Sequence, residues 1–306
     1  MSFLHYIPFL IFFILFGLRF FGQGSMGHVS QTSMARYFVK DRGKAISFAS
    51  FGQPIAEIIL PLLVVIFISF VGWRFTWFYS GISIILIFIP IYLYLLKDHG
   101  ERHKNFIKDS IFKKDVINFN RIEILKDSKL YIYLPSYLMP PFIITGLLFY
   151  QVHIAFEKDW SLQLLGSSFV FYGIFGVIGV LLGGPLVDKY NTRSIVPIYL
   201  IPMFFGILFL SISSNSIVLF FYMASISFSA GFGFPLMGSL WAELYGVKNL
   251  GSIRALLHAI GVFSTAISPY LFGYFIDKNF GTNFIFIFCL ILIFISSILT
   301  YIFRGK

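Results

Sequence analysis

The chain has 306 residues, of which 58% are hydrophobic and only 12% are charged, and its mean hydropathy is +0.86. This composition excludes a soluble globular domain and predicts an all-α integral membrane protein. In a soluble protein the net charge of +10 would point to nucleic acid, but here the basic residues stand between long apolar stretches. We therefore expect a lipid bilayer as the surroundings and no nucleic-acid partner. The single cysteine, Cys289, excludes a disulfide framework and a cysteine-based zinc site.

About nine stretches of the chain are apolar and long enough to cross a bilayer, which needs about 20 such residues per helix. They are residues 5–36, 46–70, 74–96, 131–155, 162–186, 194–212, 216–242, 253–276 and 282–303. A polar stretch separates the first three spans from the last six. We therefore expect three regions, namely residues 1–96, a linker over 97–130, and residues 131–306.

The basic residues are distributed unevenly between the two sides of the membrane that these spans predict. Eighteen of the 23 Lys and Arg residues fall in the linker, at the C-terminus or in one set of loops, and three fall in the opposite loops. Cytoplasmic loops of membrane proteins are enriched in Lys and Arg. We therefore expect the linker and the C-terminus in the cytoplasm and the N-terminus outside.

Several spans contain residues that interrupt helices or bring them close together. Pro140–Pro141 with Gly146 is expected to break the fourth span, and Pro235 is expected to loosen the seventh. Broken helices line binding sites in many transporters. Gly176 and Gly179 are better interpreted as a close-packing face between helices.

Few ionisable residues lie inside the predicted spans, where each costs about 2.5–3.5 kcal/mol on insertion scales and is a functional candidate. Arg19 lies in the middle of the first span and Glu57 near the middle of the second. At 1.5 Å per residue their depths differ by roughly 8 Å. We expect them either to bind substrate or proton between them or to form a structural ion pair. Gln23 and Gln53 complete this candidate set.

His153 lies at the outer end of the fourth span, together with Gln151 and Glu157. An imidazole changes its charge near neutral pH, so His153 is a further candidate for proton coupling. A single histidine in a helix is more often an ordinary hydrogen-bonding residue, and that alternative stays open. We expect no metal and no cofactor.

The segment GPLVDKYNTR, residues 184–193, is a charged turn between two apolar spans. It resembles the signature loop of the major facilitator superfamily, which has the pattern G-x-L-x-D-R-x-G-x-R. The matching residues are Gly184, Leu186, Asp188, Arg193 and, in charge alone, Lys189. Asn191 replaces a glycine, which we expect to be tolerated because Asn reaches the left-handed region.

The resemblance implies a gate at this end of the protein. In the superfamily the loop aspartate caps the eleventh helix and pairs with a basic residue there, so Asp188 is expected to pair with Arg254. Glu243, just across the preceding loop, and His258, one turn after Arg254, complete the expected group. The alternative is ordinary solvation of charged residues next to the membrane.

The first and last thirds of the chain resemble each other. Gly22 precedes Pro61 by 39 residues, and Gly231 precedes Pro269 by 38 residues. Three-helix repeats are the building unit of the superfamily, and a complete member has twelve helices. The resemblance therefore implies that the N-terminal three-helix unit is missing, through an internal start or a truncated gene.

The resemblance implies a secondary active transporter of a small solute that works by alternating access. Arg19 favours a small organic anion, and proton coupling stays open. Arg36 and the loop after it are similar to bacterial oxalate/formate antiporters and monocarboxylate porters, so we expect a bacterial cytoplasmic membrane. An enzyme is not expected, because no catalytic cluster is present. The alternative is a truncated or assembly-dependent fragment without transport activity of its own.

Overall fold

The computed structural model describes residues 8–38, 40–97, 99–101, 103–104 and 119–304. These residues are helical or lie in short connections, and no strand occurs among them. The prediction of an all-α membrane protein is confirmed. The chain divides into two compact units, one of Met1–Met26 with Ile59–Ile117 and the other of Gly27–Ile58 with Asn118–Lys306.

The described residues include fourteen α-helices and two π-helical stretches. The α-helices are α1 (Pro8–Gly17), α2 (Met26–Tyr37), α3 (Arg42–Ser50), α4 (Gly52–Ser83), α5 (Ile89–Leu95), α6 (Arg121–Lys126), α7 (Ser128–Phe149), α8 (Gln151–Glu157), α9 (Leu162–Lys189), α10 (Thr192–Ile195), α11 (Ile201–Ile212), α12 (Ser216–Tyr245), α13 (Leu250–Asp277) and α14 (Gly281–Phe303). The π-helical stretch Leu18–Ser25 joins α1 to α2, and Ile84–Phe88 joins α4 to α5.

Seven helical runs in the described part of the chain are long and apolar enough to cross a membrane. They are Leu10–Tyr37, Leu63–Leu95, Ser128–Phe149, Leu162–Lys189, Ser216–Tyr245, Leu250–Asp277 and Gly281–Phe303. Ile201–Ile212 is a shorter apolar helix. The spans predicted over 131–155, 162–186, 216–242, 253–276 and 282–303 each contain one of these runs or most of it.

The difference from nine spans has two local causes. The predicted second and third spans run together through α4, and only Gly72, with φ 74° and ψ 163°, interrupts the helix at the expected loop. The predicted sixth span is divided into α10 and α11 by a turn over residues 196–200. Pro197 lies in this turn and has no N–H for a helical hydrogen bond.

The expected break at Pro140–Pro141 is wrong, because α7 continues through both prolines and ends at Phe149. Pro140 cannot donate to the carbonyl of Ser136, four residues earlier. The hydroxyl of Tyr199, from the turn before α11, donates to that carbonyl instead. A neighbouring segment thus supplies the missing hydrogen bond, as membrane helices require. α12 likewise continues through Pro235.

Small residues bring α9 and α12 into backbone contact, as predicted for Gly176 and Gly179. A Cβ atom on Gly179 would lie 2.3 Å from the carbonyl oxygen of Phe228, and one on Gly231 would lie 2.3 Å from that of Gly176. No side chain fits at these positions. Close approach through small residues is the usual way in which helices pack inside a membrane.

Candidate functional site

Asp188, in the last turn of α9, caps the first turn of α3. Its Oδ1 accepts a hydrogen bond from the Gly43 N–H at 2.6 Å, and its Oδ2 accepts one from the Lys44 N–H at 2.9 Å. The first N–H groups of a helix have no partner within the helix, and they attract negative charge. Asp41 is the N-cap residue of α3 by position, but its side chain makes no capping hydrogen bond. The cap therefore comes from another helix.

Two glycines allow this approach. A Cβ atom on Gly43 would lie 2.5 Å from the carbonyl oxygen of Gly184, and one on Gly184 would lie 2.4 Å from Oγ of Ser47. Ser47 also donates to the carbonyl of Val180 at 2.8 Å. The backbones of α3 and α9 therefore touch directly. We call this region the α3–α9 contact, and it consists of Gly43, Lys44, Ser47, Gly184 and Asp188.

A second carboxylate lies beside the α3–α9 contact. Glu243, near the end of α12, accepts a hydrogen bond from the hydroxyl of Thr192. Arg42 donates from Nε to the carbonyl of Ala35 at 3.0 Å, which closes the end of α2. Burial lowers the pKa of Arg42, and the nearby carboxylates of Glu243 and Asp188 oppose that shift. The end of α2, the start of α3 and the end of α12 thus share one charged network.

The remaining residues of the 184–193 segment face the same end. Asn191 has φ −62° and ψ 130°, and its side chain accepts from the Arg193 N–H at 2.9 Å. The expected left-handed conformation of Asn191 is therefore wrong, because the residue serves as the N-cap of α10. Arg193 acts electrostatically on Glu243, and Lys189 lies 5.2 Å from the ring centroid of Tyr190.

Arg254 does not contact Asp188 in this structure, which corrects the expected pair. Both oxygens of Asp188 are occupied by the N–H groups of α3. Arg254, in the second turn of α13, donates instead from Nη2 to Oε1 of Gln31 on α2. A gating role for Asp188 or Arg254 stays a prediction.

Two histidines lie close to Arg254. His28 on α2 interacts electrostatically with Arg254 and with His258, and it contacts the backbone of Gly251. His258 follows Arg254 by one turn on α13 and interacts with it as well. Tyr137 on α7, whose hydroxyl is neutral at pH 7, is a further neighbour of Arg254. We call Gln31, His28, Arg254 and His258 the Arg254 cluster.

Further contacts hold α2 against the start of α13. Arg36 donates from Nη2 to the carbonyl of Lys248 at 2.8 Å. A Cβ atom on Gly251 would lie 3.7 Å from Cγ2 of Thr32, which is ordinary van der Waals contact. Residues 27–58 therefore pack on the C-terminal part of the chain through α2 as well as through α3.

Two of the other predicted substrate or coupling residues, Gln53 and Glu57, contact each other. Nε2 of Gln53 donates to Oε1 of Glu57 at 3.2 Å, one turn apart on α4, and Glu57 acts electrostatically on Tyr172. The side chains of Arg19 and Gln23 lie outside the described residues, so the Arg19–Glu57 pair stays a prediction.

His153 is paired with a carboxylate. Its Nε2 lies 3.2 Å from Oε1 of Glu157, one turn later on α8, and Glu157 also accepts from the hydroxyl of Thr282 on α14. A role for His153 in coupling stays a prediction. Within the described ranges, no three His, Cys, Asp or Glu side chains are grouped so that they could hold a metal ion.

Sequence reasoning missed Ser47 and Gln31. Ser47 follows Gly43 by four residues, a spacing of small residues that is typical of close helix packing in membranes, and this pattern could have indicated it. Gln31 gives no such signal, because only the fold brings it to Arg254.

A family model described as Major Facilitator Superfamily matches the chain twice, over residues 1–157 and over residues 133–306. Together the two matches cover the whole chain. A search of curated proteins found no significant match.

Proposed function

Since this chain belongs to the Major Facilitator Superfamily of secondary transporters, we propose that it moves a small organic anion across the membrane by alternating access. Its fold is helical, its surroundings are a lipid bilayer, and its partner is a small-molecule substrate. The α3–α9 contact supports this mechanism, because a few hydrogen bonds between two helices hold it together.

The α3–α9 contact has a suitable strength for a gate. Asp188 makes two charge-assisted hydrogen bonds to backbone N–H groups, and each such bond contributes about 1.5–3 kcal/mol. A shift of a two-state equilibrium from 1:99 to 99:1 needs about 5.5 kcal/mol. The pair of bonds is therefore strong enough to favour one state and weak enough for a bound substrate to reverse the preference.

The charges support the orientation and the substrate class. The α3–α9 contact carries Lys44, and Lys189 and Arg193 lie beside it. We place this end in the cytoplasm, because cytoplasmic loops are rich in Lys and Arg. Arg19 in the first span favours an anion over a cation. Glu57 and His153 are the candidates for proton coupling, and a bacterial cytoplasmic membrane is the proposed location.

Uptake into proteoliposomes tests the proposal. The purified chain should accumulate at least one of labelled acetate, malonate or succinate, and a proton gradient should change the rate if transport is proton-coupled. Exclusive uptake of cations or neutral solutes would contradict the substrate class. A chain that takes up nothing would favour the alternative of a fragment that needs a partner chain.

Asp188→Asn tests the gate. One amide oxygen replaces two charged oxygens, so we expect the open state of the α3–α9 contact to gain about tenfold in population, the equivalent of 1.4 kcal/mol. Maleimide labelling of Ser50→Cys in a Cys289→Ala background measures this opening, because Ser50 is buried and its hydroxyl has no partner. Asp159→Asn is the matched control, since Asp159 has φ 57°, a conformation that Asn also adopts. Equal labelling in both variants would contradict the gate.

A further inference from the structure

Arg254 has an unfilled hydrogen-bonding position inside a membrane-spanning helix. Its Nη2 donates to Gln31, whereas its Nη1 is buried and has no hydrogen-bond partner. A guanidinium presents several N–H donors in a planar fork that matches a carboxylate in two-point contact. Nη2 therefore donates to a neutral amide oxygen, and Nη1 has no acceptor.

Within the part of the chain that the structure describes, Arg254 has no carboxylate partner, since no Asp or Glu there forms an ion pair with it. The carboxylate of Asp188 accepts hydrogen bonds from the N–H groups of α3 instead. His28 from α2 and His258 from α13 interact electrostatically with Arg254, and Tyr137 from α7 is a neutral neighbour. A neutral imidazole carries one N–H donor and one acceptor nitrogen, and a protonated imidazole carries a positive charge, so neither histidine supplies a negative counter-charge.

A partly buried cation without a counter-charge is unfavourable, and an anion that reaches it supplies the missing acceptor. We infer that the Arg254 cluster is a binding site for a carboxylate group of a small organic anion. The guanidinium of Arg254 binds the carboxylate at two points, and the anion displaces the amide oxygen of Gln31 from Nη2. The imidazoles of His28 and His258 supply additional donors. This inference deepens the proposed function, on which it rests for the class of substrate.

Binding of labelled malonate to the purified chain in detergent tests the site without requiring transport. Arg254→Gln should weaken binding at least tenfold, because the charged fork is lost. Arg121→Gln is the matched control: its Nε donates to the carbonyl of Ser252 at 3.1 Å, at the start of the same helix α13. This control should bind malonate within twofold of the unsubstituted chain.

Gln31→Met gives a result in the opposite direction and covers the case in which Arg254→Gln fails to fold. Methionine has a similar length but only a weak acceptor, so the anion no longer competes with the Gln31 amide for Nη2. Malonate should bind roughly threefold to tenfold tighter, the equivalent of one net hydrogen bond. A purely structural Arg254 would lose stability in this variant without any gain in affinity.

Two results would overturn the site. One is malonate binding that Arg254→Gln, in folded form, leaves unchanged; the other is a Gln31→Met variant that does not bind more tightly. Uptake measured in parallel separates the two proposals. Anion uptake that continues without malonate binding at Arg254 contradicts the site alone, whereas absence of both binding and uptake contradicts the site and the anion substrate together.

Discussion

The α3–α9 contact and the Arg254 cluster both join residues 27–58 to the C-terminal part of the chain, but they differ in how completely their charged side chain is hydrogen-bonded. At the α3–α9 contact, the carboxylate of Asp188 is fully satisfied by backbone N–H groups. At the Arg254 cluster, a guanidinium is left with a neutral acceptor on one nitrogen and none on the other. A charged group whose hydrogen-bond partners all come from the fold suits a gate, whereas a charged group that lacks a partner suits a ligand-binding site.

Of the variants that test this comparison, Gly184→Ala should have the largest effect on opening of the α3–α9 contact. The new methyl group would lie 2.4 Å from Oγ of Ser47 and 2.9 Å from the carbonyl oxygen of Gly43, so the two helices must separate. Overpacking of this kind costs about 1–3 kcal/mol. We expect faster labelling of Ser50→Cys by about fivefold to more than a hundredfold, and loss of uptake.

Gly166→Ala on the same helix is the control for this change, because a Cβ atom there meets nothing within 4 Å. Malonate binding at the Arg254 cluster should survive in Gly184→Ala if the two regions act separately. Unchanged labelling in Gly184→Ala would show that the α3–α9 contact does not govern access to Ser50.

Ser47→Ala should have a smaller effect. It removes the hydrogen bond to the carbonyl of Val180 but leaves the cap by Asp188 intact. A single neutral hydrogen bond contributes about 0.5–1.5 kcal/mol, so labelling of Ser50→Cys should rise about twofold to tenfold. A response as large as that of Gly184→Ala would mean that the serine, and not the backbone contact, holds the helices together.

Asp41→Asn should have the smallest effect, although Asp41 is adjacent to α3 in sequence. Its carboxylate pairs with Nζ of Lys44 at 2.9 Å on the exposed surface, and this partner lowers the pKa of Asp41. The pair therefore stabilises the fold above the ordinary pKa of aspartate and is lost as pH falls through the lowered value. We expect no change in Ser50→Cys labelling at pH 7.

A response of Asp41→Asn equal to that of Asp188→Asn would contradict the assignment of the cap to Asp188. Measuring both variants in the same background, with Cys289→Ala and Ser50→Cys, makes the comparison direct. The two changes are chemically identical, so only the position of the carboxylate differs between them.

The sequence predicts the positions of most helices because apolar length is a local property. Five of the spans predicted after the linker correspond to long helices, and the break expected between the spans 46–70 and 74–96 is present as the non-helical Gly72. The continuity of α7 could not be predicted in this way. It depends on Tyr199, a residue almost 60 positions beyond Pro140, which donates to the carbonyl that the proline leaves free.

The candidate site likewise has one part that the sequence predicts and another that it does not. The motif indicates that Asp188 and Arg193 are important at one end of the protein, and the family resemblance adds Glu243. The structure brings the three into one charged network. The motif does not indicate the partner of Asp188. That partner consists of the backbone N–H groups of Gly43 and Lys44, and every residue type except proline has such a group. Backbone donors carry no signature in a sequence, so only the crossing of two helices reveals the cap.

The glycines at the α3–α9 contact affect how the balance between its closed and open forms depends on temperature. Glycine has no side-chain rotamers to lose when surfaces meet, and Gly43 and Gly184 supply the points of closest approach. At these two points closure therefore restricts no side-chain rotation, whereas it would if larger residues stood there. The entropy lost on closing should be small, and the balance between the closed and open forms should change little between cold and warm membranes.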